Sequence, residues 1–302
     1  MGPTASGKTD LAVHLVDRFP VEIVSVDSAL VYRGMDIGTA KPGPEILARA
    51  PHRLIDIREP EDAYSAGAFV RDARDEVDDI HAAGRIPLLV GGTMLYFRAL
   101  IDGIAELPDA DQDIREAIDA EAAVHGWPAL HKRLASIDPV AAARIEPGDK
   151  QRIQRALEVY EASGRTLSDW QRSASPPESG LRFVKFALID PERRVLHERI
   201  NARFVQMLDE GFVDEVRRLM QRPGLDAESS SMRAVGYRQI WRFLDGQIDL
   251  ATAIAQGQAA TRQLAKRQLT WLRSEPELRR FDPLDNASAD AISTELARKL
   301  NE

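Results

Sequence analysis

The first residues of the chain contain a pattern that specifies a phosphate site. Residues 2–9 fit the phosphate-loop (P-loop) pattern G-x-x-x-x-G-K-[ST]. In such a loop the glycines let backbone N–H groups converge on phosphate oxygens, the lysine adds a positive charge, and the last hydroxyl binds Mg²⁺. The sequence therefore predicts a phosphate-binding loop with a metal ion at its end. Its residues are Gly2, Pro3, Thr4, Ala5, Ser6, Gly7, Lys8 and Thr9.

A carboxylate and a glycine pair follow two predicted strands. Asp27 ends an apolar run, and Gly91-Gly92-Thr93 ends another. A carboxylate at a strand end can accept a proton or orient a nucleophile, but it can also bind Mg²⁺ or cap a helix. The glycine pair can bring N–H groups to an anion, or it can form an ordinary turn. Because ligands of open α/β sheets lie off the carboxyl ends of the strands, we expect Asp27 and Thr93 beside the phosphate loop.

Three basic clusters are candidate nucleic-acid contacts, and each has a structural alternative. Arg262, Lys266 and Arg273 share one stripe of a predicted helix, which suits a phosphate backbone or a merely solvated face. Residues 150–155 offer arginine and glutamine side chains to bases or phosphates, or form an exposed helix. In residues 233–238 an arginine can grip phosphate and a tyrosine can stack on a base. A buried structural tyrosine with two surface arginines fits the same residues.

Over the first hundred residues, short apolar runs alternate with stretches of helical pattern. These are the elements that must position the candidate residues. That alternation predicts an α/β fold with a P-loop NTPase-like parallel sheet flanked by helices. From Leu107-Pro108-Asp109 to Ser175-Pro176-Pro177 the strand pattern lapses and short helices dominate. We predict a catalytic core of residues 1–103 and 181–302 and a helical insertion domain of residues 104–180. Helices are predicted at 10–19 and 65–83, and strands at 21–26, 86–90 and 183–189, the last closing at Asp190-Pro191.

Composition excludes several classes of protein. The 302 residues, 44% of them hydrophobic, suffice for one large or two modest domains. No apolar run approaches the ~20 residues of a membrane span, and we expect a soluble, unexported, cytoplasmic protein without membrane contacts. The absence of cysteine excludes disulfides and thiolate zinc sites. The formal net charge of −8 argues against a protein that coats nucleic acid indiscriminately, so any such contact must be local.

Seven blocks of the sequence resemble, in order, the motifs of bacterial tRNA dimethylallyltransferases (isopentenyl-tRNA transferases). The resemblance runs from the first residue to about residue 273. The blocks are Gly2 to Thr9, Ser25 to Tyr32, Gly34 to Pro42, Ala50 to Arg53, Val90 to Tyr96, Val235 to Gln239 and Thr261 to Gln268.

The resemblance implies an enzyme that transfers the dimethylallyl group of dimethylallyl diphosphate to N6 of the adenosine 3′ of the tRNA anticodon. The loop would then hold a diphosphate instead of a nucleotide triphosphate, with Mg²⁺ near Thr9. Asp27 would act as the general base, and Lys8, Thr93 and Arg238 would complete the catalytic set. The implied tRNA contacts are Asp27, Ser28, Ala29, Leu30, Thr93, Arg115, Gln151, Arg152, Ile153, Gln154, Arg155, Arg233, Ala234, Val235, Gly236, Tyr237 and Arg238.

The chain departs from the family pattern at its start. A P-loop normally follows a buried parallel strand, whereas only Met1 precedes Gly2. A sheet without that strand would leave ladder groups unpaired, so we expect the natural start to lie upstream. Without cysteine the zinc finger of eukaryotic relatives is not expected either, which points to a bacterial-type enzyme.

Two alternatives to this function stay open. A P-loop small-molecule kinase would share the nucleotide-binding loop and would bind ATP. A non-catalytic tRNA-binding protein would bind the anticodon stem-loop without modifying it. The partners expected under the resemblance are a tRNA anticodon stem-loop and dimethylallyl diphosphate, with the protein as a monomer.

Overall fold

The structure, a computed structural model, describes residues 1–173, 180–190 and 192–300. Contacts divide the chain into two compact units, Met1–Arg98 with Gly180–Glu302, and Ala99–Ser179. The domain boundaries predicted after residues 103 and 180 stay predictions. The predicted closing segments Ser175-Pro176-Pro177 and Pro191 lie outside the described residues.

The N-terminal part of the first unit alternates helices and strands. Its elements are α1 (Lys8–Val16), β1 (Val21–Val26), α2 (Pro44–Arg49), β2 (His52–Arg53), α3 (Ala66–Ala82) and β3 (Ile86–Gly91). Helix α4 (Met94–Asp102) follows and contains the boundary after Arg98.

A parallel sheet with the strand order β2-β1-β3 forms the centre of this part. The register pairs Val21 with Ile86 and Val26 with Gly91, so the carboxyl ends of β1 and β3 meet at one edge. β1 is buried along nearly its whole length, as expected for a parallel strand covered on both faces. Helices α1 and α3 both pack against the sheet. The predicted parallel sheet flanked by helices is confirmed.

The C-terminal part of the first unit is mostly helical. Its elements are β4 (Phe186–Leu188), α10 (Arg193–Asp209), α11 (Phe212–Leu219), a 3₁₀ turn (Ser231–Arg233), α12 (Tyr237–Leu244), α13 (Leu250–Ser274), β5 (Arg279–Phe281) and α14 (Ser288–Leu300), the helices α5–α9 belonging to the second unit. Strands β4 and β5 pair in parallel, and α10 packs on α13. The backbone of Met1 lies alongside β4: its amino group donates to the Phe186 carbonyl at 2.8 Å, and Leu188 N donates to its carbonyl at 3.0 Å.

The second unit is a bundle of short helices. They are α5 (Gln112–His125), α6 (Trp127–Ile137), α7 (Pro139–Ala142), α8 (Lys150–Ser163) and α9 (Leu167–Ser173). Aspartates cap three of them by accepting hydrogen bonds from first-turn N–H groups. Apolar side chains including Ile118, Leu130, Leu134, Ile153 and Leu157 form the core of the unit.

Most of the predicted elements are present, with shifted ends. The strand at 21–26 is confirmed, and those at 86–90 and 183–189 correspond to β3 and the shorter β4. The helices predicted at 10–19 and 65–83 are α1 and α3. Strands β2 and β5 were not predicted, because runs of 2 and 3 residues are too short to show a strand pattern. Within the described part of the chain, no helix has both the length and the hydropathy needed to cross a bilayer.

Candidate functional site

Two residues of the phosphate loop have a left-handed backbone conformation just before α1 begins. Gly7, the residue before the helix, has φ 78°, and Ala5 has φ 63°. This region favours glycine, which explains the glycine of the motif at position 7. The loop leads into the first turn of α1, whose N–H groups and dipole favour an anion.

Two cations bond to the loop itself. Lys8 Nζ donates to the Pro3 carbonyl at 2.7 Å. From α10, the guanidinium of Arg203 donates to the Thr4 hydroxyl. Helix α10 thus contributes to the phosphate loop although 199 residues separate Arg203 from Thr4 along the chain.

A third cationic side chain, that of Arg199, lies beside the same loop and has an unpartnered hydrogen-bond donor among the described residues. Arg199 precedes Arg203 by one turn of α10, and its Nη2 is 3.8 Å from where a Cβ on Gly7 would lie. Within the described residues, Arg199 Nη1 and the Ser6 hydroxyl are buried without a hydrogen-bond partner. Buried polar groups are normally paired, so unpaired donors at a phosphate loop are suited to an anion that bonds to them.

The charges around the loop shift one another's pKa. Burial lowers the pKa of Lys8 to about 8, with Asp27 opposing the shift and Arg203 adding to it. Burial also lowers the pKa of Arg203, again opposed by Asp27, while Arg199 lowers it further. The site therefore has an excess of positive charge, only partly balanced by one carboxylate.

That carboxylate is fixed by the turn that follows β1. Asp27 Oδ1 accepts hydrogen bonds from Ala29 N at 2.9 Å and from Leu30 N at 3.4 Å. Ser28 N donates to the Thr93 hydroxyl at 3.0 Å, which ties the end of β1 to the end of β3. Asp27 and Thr93 thus lie just beyond the ends of two paired strands.

A cavity of about 180 Å³ opens where these groups meet. One part of its wall is polar and the other is apolar. The polar lining includes Thr4, Lys8, Thr9, Ser25, Asp27, Arg203 and Gln268. The apolar lining includes Leu30, Ile200, Phe204, Met207, Val235 and Leu264.

One wall of the cavity is a loop held by a buried carboxylate. Glu215 of α11, only 2% exposed, accepts hydrogen bonds from the backbone N–H groups of Asp36, Ile37 and Gly38 at 3.0, 2.7 and 3.1 Å. It also accepts one from the Tyr237 hydroxyl at 2.6 Å. We call residues 36–38 with Glu215 and Tyr237 the Glu215 clamp.

Comparison with known proteins places this geometry in a family. The family model described as IPP transferase matches residues 30–275, more than half of the chain. The chain belongs to the IPP transferase family.

Two bacterial relatives of this chain carry the same name. The tRNA dimethylallyltransferase of Thioalkalivibrio sulfidiphilus is 58% identical over 293 residues, which cover 96% of this chain and 92% of the relative. That of Alkalilimnicola ehrlichii is 60% identical over 275 residues, covering 91% and 86%.

Two solved structures are similar in fold to this chain. The full-length tRNA isopentenylpyrophosphate transferase of Bacillus halodurans has a TM-score of 0.72 at 40% identity, covering 99% of this chain and 95% of that one. A eukaryotic dimethylallyltransferase acting on tRNA has a TM-score of 0.79 at 23% identity, covering 98% and 76%. At that identity the second likeness supports the fold alone.

Segment 233–238 has some residues in the cavity wall and others on the surface. Ala234, Val235 and Tyr237 line the cavity. Tyr237 is fully buried and bonded to Glu215, which fits the structural interpretation, whereas its predicted contact with tRNA stays a prediction. Arg238 is exposed and is not among the described residues that line the cavity. Its predicted role at the diphosphate stays a prediction. The arginine that lines the cavity and bonds to the phosphate loop is Arg203.

The predicted contacts at the start of α8 also differ in exposure. Gln151 and Arg152 are exposed, Arg152 with 72% of its side chain accessible. Gln154 donates to Asp119 Oδ1 at 2.8 Å. Ile153 is buried in the core of the second unit, so its side chain contributes packing and does not face a partner.

The other two arginines predicted to contact tRNA from the second unit, Arg115 and Arg155, share one buried carboxylate. Glu158 is 0% exposed and accepts from Arg115 Nε at 2.8 Å, Arg155 Nη1 at 2.8 Å and Asp111 N at 3.0 Å. Burial raises the pKa of Glu158, but the hydrogen bonds from these three residues outweigh it and hold the pKa below its ordinary value. Arg155 also donates to the Pro108 carbonyl at 2.7 Å. Both guanidiniums are therefore held in place, with 39% and 31% of their side chains accessible.

The basic stripe predicted on α13 is only partly free for a partner. Lys266 and Arg273 are exposed, whereas Arg262 donates to Asn201 Oδ1 at 2.7 Å. The choice between a nucleic-acid contact and a solvated face stays open for this stripe.

Sequence reasoning missed Arg203, although a signal was present. On α10 the residues Leu196, Ile200 and Met207 form one apolar stripe, and all are buried. Arg203 falls within that stripe at the helical period of 3.6 residues. A charged residue on an apolar stripe is seldom buried without a partner or a function, so it marks a candidate site.

Proposed function

We propose that this protein transfers a dimethylallyl group from dimethylallyl diphosphate to N6 of the adenosine 3′ of a tRNA anticodon and releases diphosphate. The observation that carries the proposal is one cavity with a cationic phosphate loop, an apolar wall and the carboxylate of Asp27. Those features match the diphosphate, the five-carbon group and the proton of the incoming amine. Bacterial relatives of about 60% identity are named for this transfer.

The cationic loop suits the leaving group. An allylic diphosphate ionises toward a delocalised carbocation, so the barrier falls most when fixed donors already face the departing charge. Lys8, Arg203 and the first turn of α1 provide such donors. The Ser6 hydroxyl and Arg199 Nη1, without a partner among the described residues, are two further donors at the same loop, although neither residue lines the cavity.

The carboxylate suits the nucleophile. The exocyclic amine of adenine is a poor nucleophile, because its lone pair is conjugated with the ring. As the N6–C1 bond forms and the C1–O bond breaks, the electron pair of that bond leaves with the diphosphate and Asp27 takes the N6 proton. Asp27 Oδ1 already accepts two backbone N–H groups, so the second oxygen is the one oriented for the proton. Positioning of the two reactants contributes a further large part of the rate.

A Mg²⁺ ion is part of the proposal, and the residues at the loop fit it. The cavity wall offers the hydroxyls of Thr9 and Ser25, and Ser25 Oγ has no partner within the described residues. Those residues include no cluster of three or more His, Cys, Asp or Glu side chains able to hold a metal. This suits Mg²⁺, which binds through few protein oxygens and the phosphates of its substrate. Thr9 would hold the ion, whose positive charge would help neutralise the diphosphate.

The tRNA substrate is proposed to be held by few residues, because the chain is acidic overall. Exposed residues Gln151 and Arg152 of the second unit, with Arg115 and Arg155, are the proposed anticodon-loop contacts. The target base must leave the loop stack to reach a cavity, which is least costly in a single-stranded loop. A monomeric, cytoplasmic enzyme completes the proposal.

The test is a transfer reaction with the full chain, Mg²⁺, dimethylallyl diphosphate and an anticodon stem-loop that carries adenosine at the target position. Nucleoside mass analysis should show one added dimethylallyl group on that adenosine. A stem-loop with guanosine there is the control and should gain nothing.

Three other results would reject the proposal. Turnover of ATP without tRNA, and no prenylated product, would favour the small-molecule kinase. Binding of the stem-loop without modification would favour the non-catalytic protein. Equal modification of adenosine and guanosine would remove N6 as the acceptor.

A further inference from the structure

Gln268 of α13 bridges two loops of the site. Its Oε1 accepts a hydrogen bond from Thr4 N at 2.9 Å, and its Nε2 donates to the Gly92 carbonyl at 2.8 Å. The side chain is 8% exposed and lines the cavity. Along the chain these loops lie 264 and 176 residues from Gln268, so the contact links three distant segments.

The bridge continues from Gly92 to the carboxylate. Thr93 follows Gly92, and its hydroxyl accepts from Ser28 N at 3.0 Å. Ser28 follows Asp27. Hydrogen bonds and peptide units therefore connect the phosphate loop, through Gln268, to Asp27, the proposed proton acceptor.

We propose that Gln268 is a positioning residue that sets the separation between the phosphate loop and Asp27, an inference that rests on the proposed function. Transfer requires the leaving oxygen, the allylic carbon and the amine in one arrangement, and small errors in such an arrangement are costly. Gln268 acts through Thr4 and Gly92 and need not touch the reacting atoms.

The chemistry of the bridge requires an amide. One side must accept from an N–H group and the other must donate to a carbonyl, and the glutamine side chain offers both at the right length. A methionine has a similar length and neither group. A glutamate keeps the acceptor, loses the donor and adds negative charge beside the proposed diphosphate.

Gly92 leaves room for this bridge. A Cβ added at Gly92 would lie 2.6 Å from Gln268 Nε2, closer than real Cβ contacts. A Gly92→Ala substitution therefore displaces the amide from its two partners. In a Gln268→Ala background the Gly92→Ala substitution should weaken diphosphate binding less, because the contact with Nε2 is gone.

The first test compares Gln268→Met with Gln263→Met, an exposed glutamine on the same helix. For Gln268→Met we expect about tenfold weaker binding of inorganic diphosphate by calorimetry and about a tenfold higher KM for dimethylallyl diphosphate. The dissociation constant of the stem-loop should change less than about twofold. Gln263→Met should match the unsubstituted protein in all three.

Two further variants separate positioning from folding. Gln268→Glu should bind diphosphate more weakly than Gln268→Met, and thermal unfolding identifies any variant that has lost its fold. Gly92→Ala should weaken diphosphate binding in the natural background but add little to Gln268→Ala, a non-additivity expected of residues in contact. Gly43→Ala, whose Cβ would meet nothing within 4 Å, is the control.

Unchanged diphosphate affinity in a folded Gln268→Met would overturn the proposal, as would full rescue by glutamate or strict additivity with Gly92→Ala. Calorimetry with inorganic diphosphate needs no turnover. If the protein fails to transfer the dimethylallyl group but the variants show the expected changes in diphosphate affinity, the proposed function is wrong and the Gln268 bridge is not.

Discussion

Replacing Glu158 by glutamine tests whether the buried carboxylate holds the two proposed tRNA-contacting arginines. The substitution keeps the shape of the side chain but replaces an anion that accepts from Arg115, Arg155 and Asp111 N. Removing one partner of a buried ion pair costs about 3–5 kcal/mol. Because the two arginines have 39% and 31% of their side chains accessible and can turn toward water, we expect about 2–3 kcal/mol here.

Urea unfolding of the full chain, followed by tryptophan fluorescence, measures this difference. With a typical urea dependence, about 2–3 kcal/mol corresponds to a shift of about 1 M in the midpoint. The matched control is Glu161→Gln on the same helix as Glu158, which removes a surface ion pair with Arg133 of α6 and should cost less than about 1 kcal/mol. If both substitutions cost the same, Glu158 is not the anchor described above.

The pH dependence gives a second check on Glu158. Its pKa is lower in the folded than in the unfolded protein, so its stabilising contribution is complete above the ordinary glutamate pKa. The contribution is lost as the pH falls through the lowered, folded-state pKa. The stability difference between the natural protein and Glu158→Gln should therefore be constant near neutral pH and shrink in acid. A difference that does not change between these conditions would refute the assignment.

Four further predictions concern the cavity and the proposed tRNA contacts. Asp27→Asn should lower kcat by about 10²- to 10⁴-fold with stem-loop affinity nearly unchanged, measured by single-turnover transfer and filter binding; equal losses would indicate a structural role. Arg203→Met should raise the KM for dimethylallyl diphosphate more than Arg238→Met, because only Arg203 lines the cavity; the opposite order would restore the predicted role of Arg238. Calorimetry should show diphosphate affinity falling as the pH rises through about 8, where Lys8 loses its proton, and Lys8→Met should lack that step; an unchanged step would assign the titration to another group. Arg152→Ala should weaken tRNA binding and reduce its logarithmic salt slope by about one, whereas an unchanged slope would exclude a phosphate contact.

Much of the sheet and the phosphate loop could be predicted from the sequence, because both depend on local patterns. The apolar run of β1 and the spacing of the loop motif are visible in consecutive residues. Parallel pairing then brings Asp27 and Thr93 together, since the carboxyl ends of β1 and β3 meet at one edge.

The remainder of the site could not be predicted because it depends on contacts between distant segments. Gln268 reaches Thr4 and Gly92 only because α13 packs beside the loop, and no local pattern specifies that packing. The burial of Tyr237 depends in the same way on Glu215. The two interpretations of Tyr237 were equivalent in sequence and became distinct only with its carboxylate partner.

The Glu215 clamp has a consequence for how the cavity responds to a substrate. Residues 36–38 have no helix or strand, yet all three of their N–H groups end on one carboxylate. If this wall moved outward, the buried carboxylate of Glu215 and the N–H groups of residues 36–38 would lose their hydrogen-bond partners together. Each unsatisfied group would cost about 1–3 kcal/mol. These hydrogen bonds hold the wall in one conformation, so the entropy of ordering it is lost on folding, before any substrate binds.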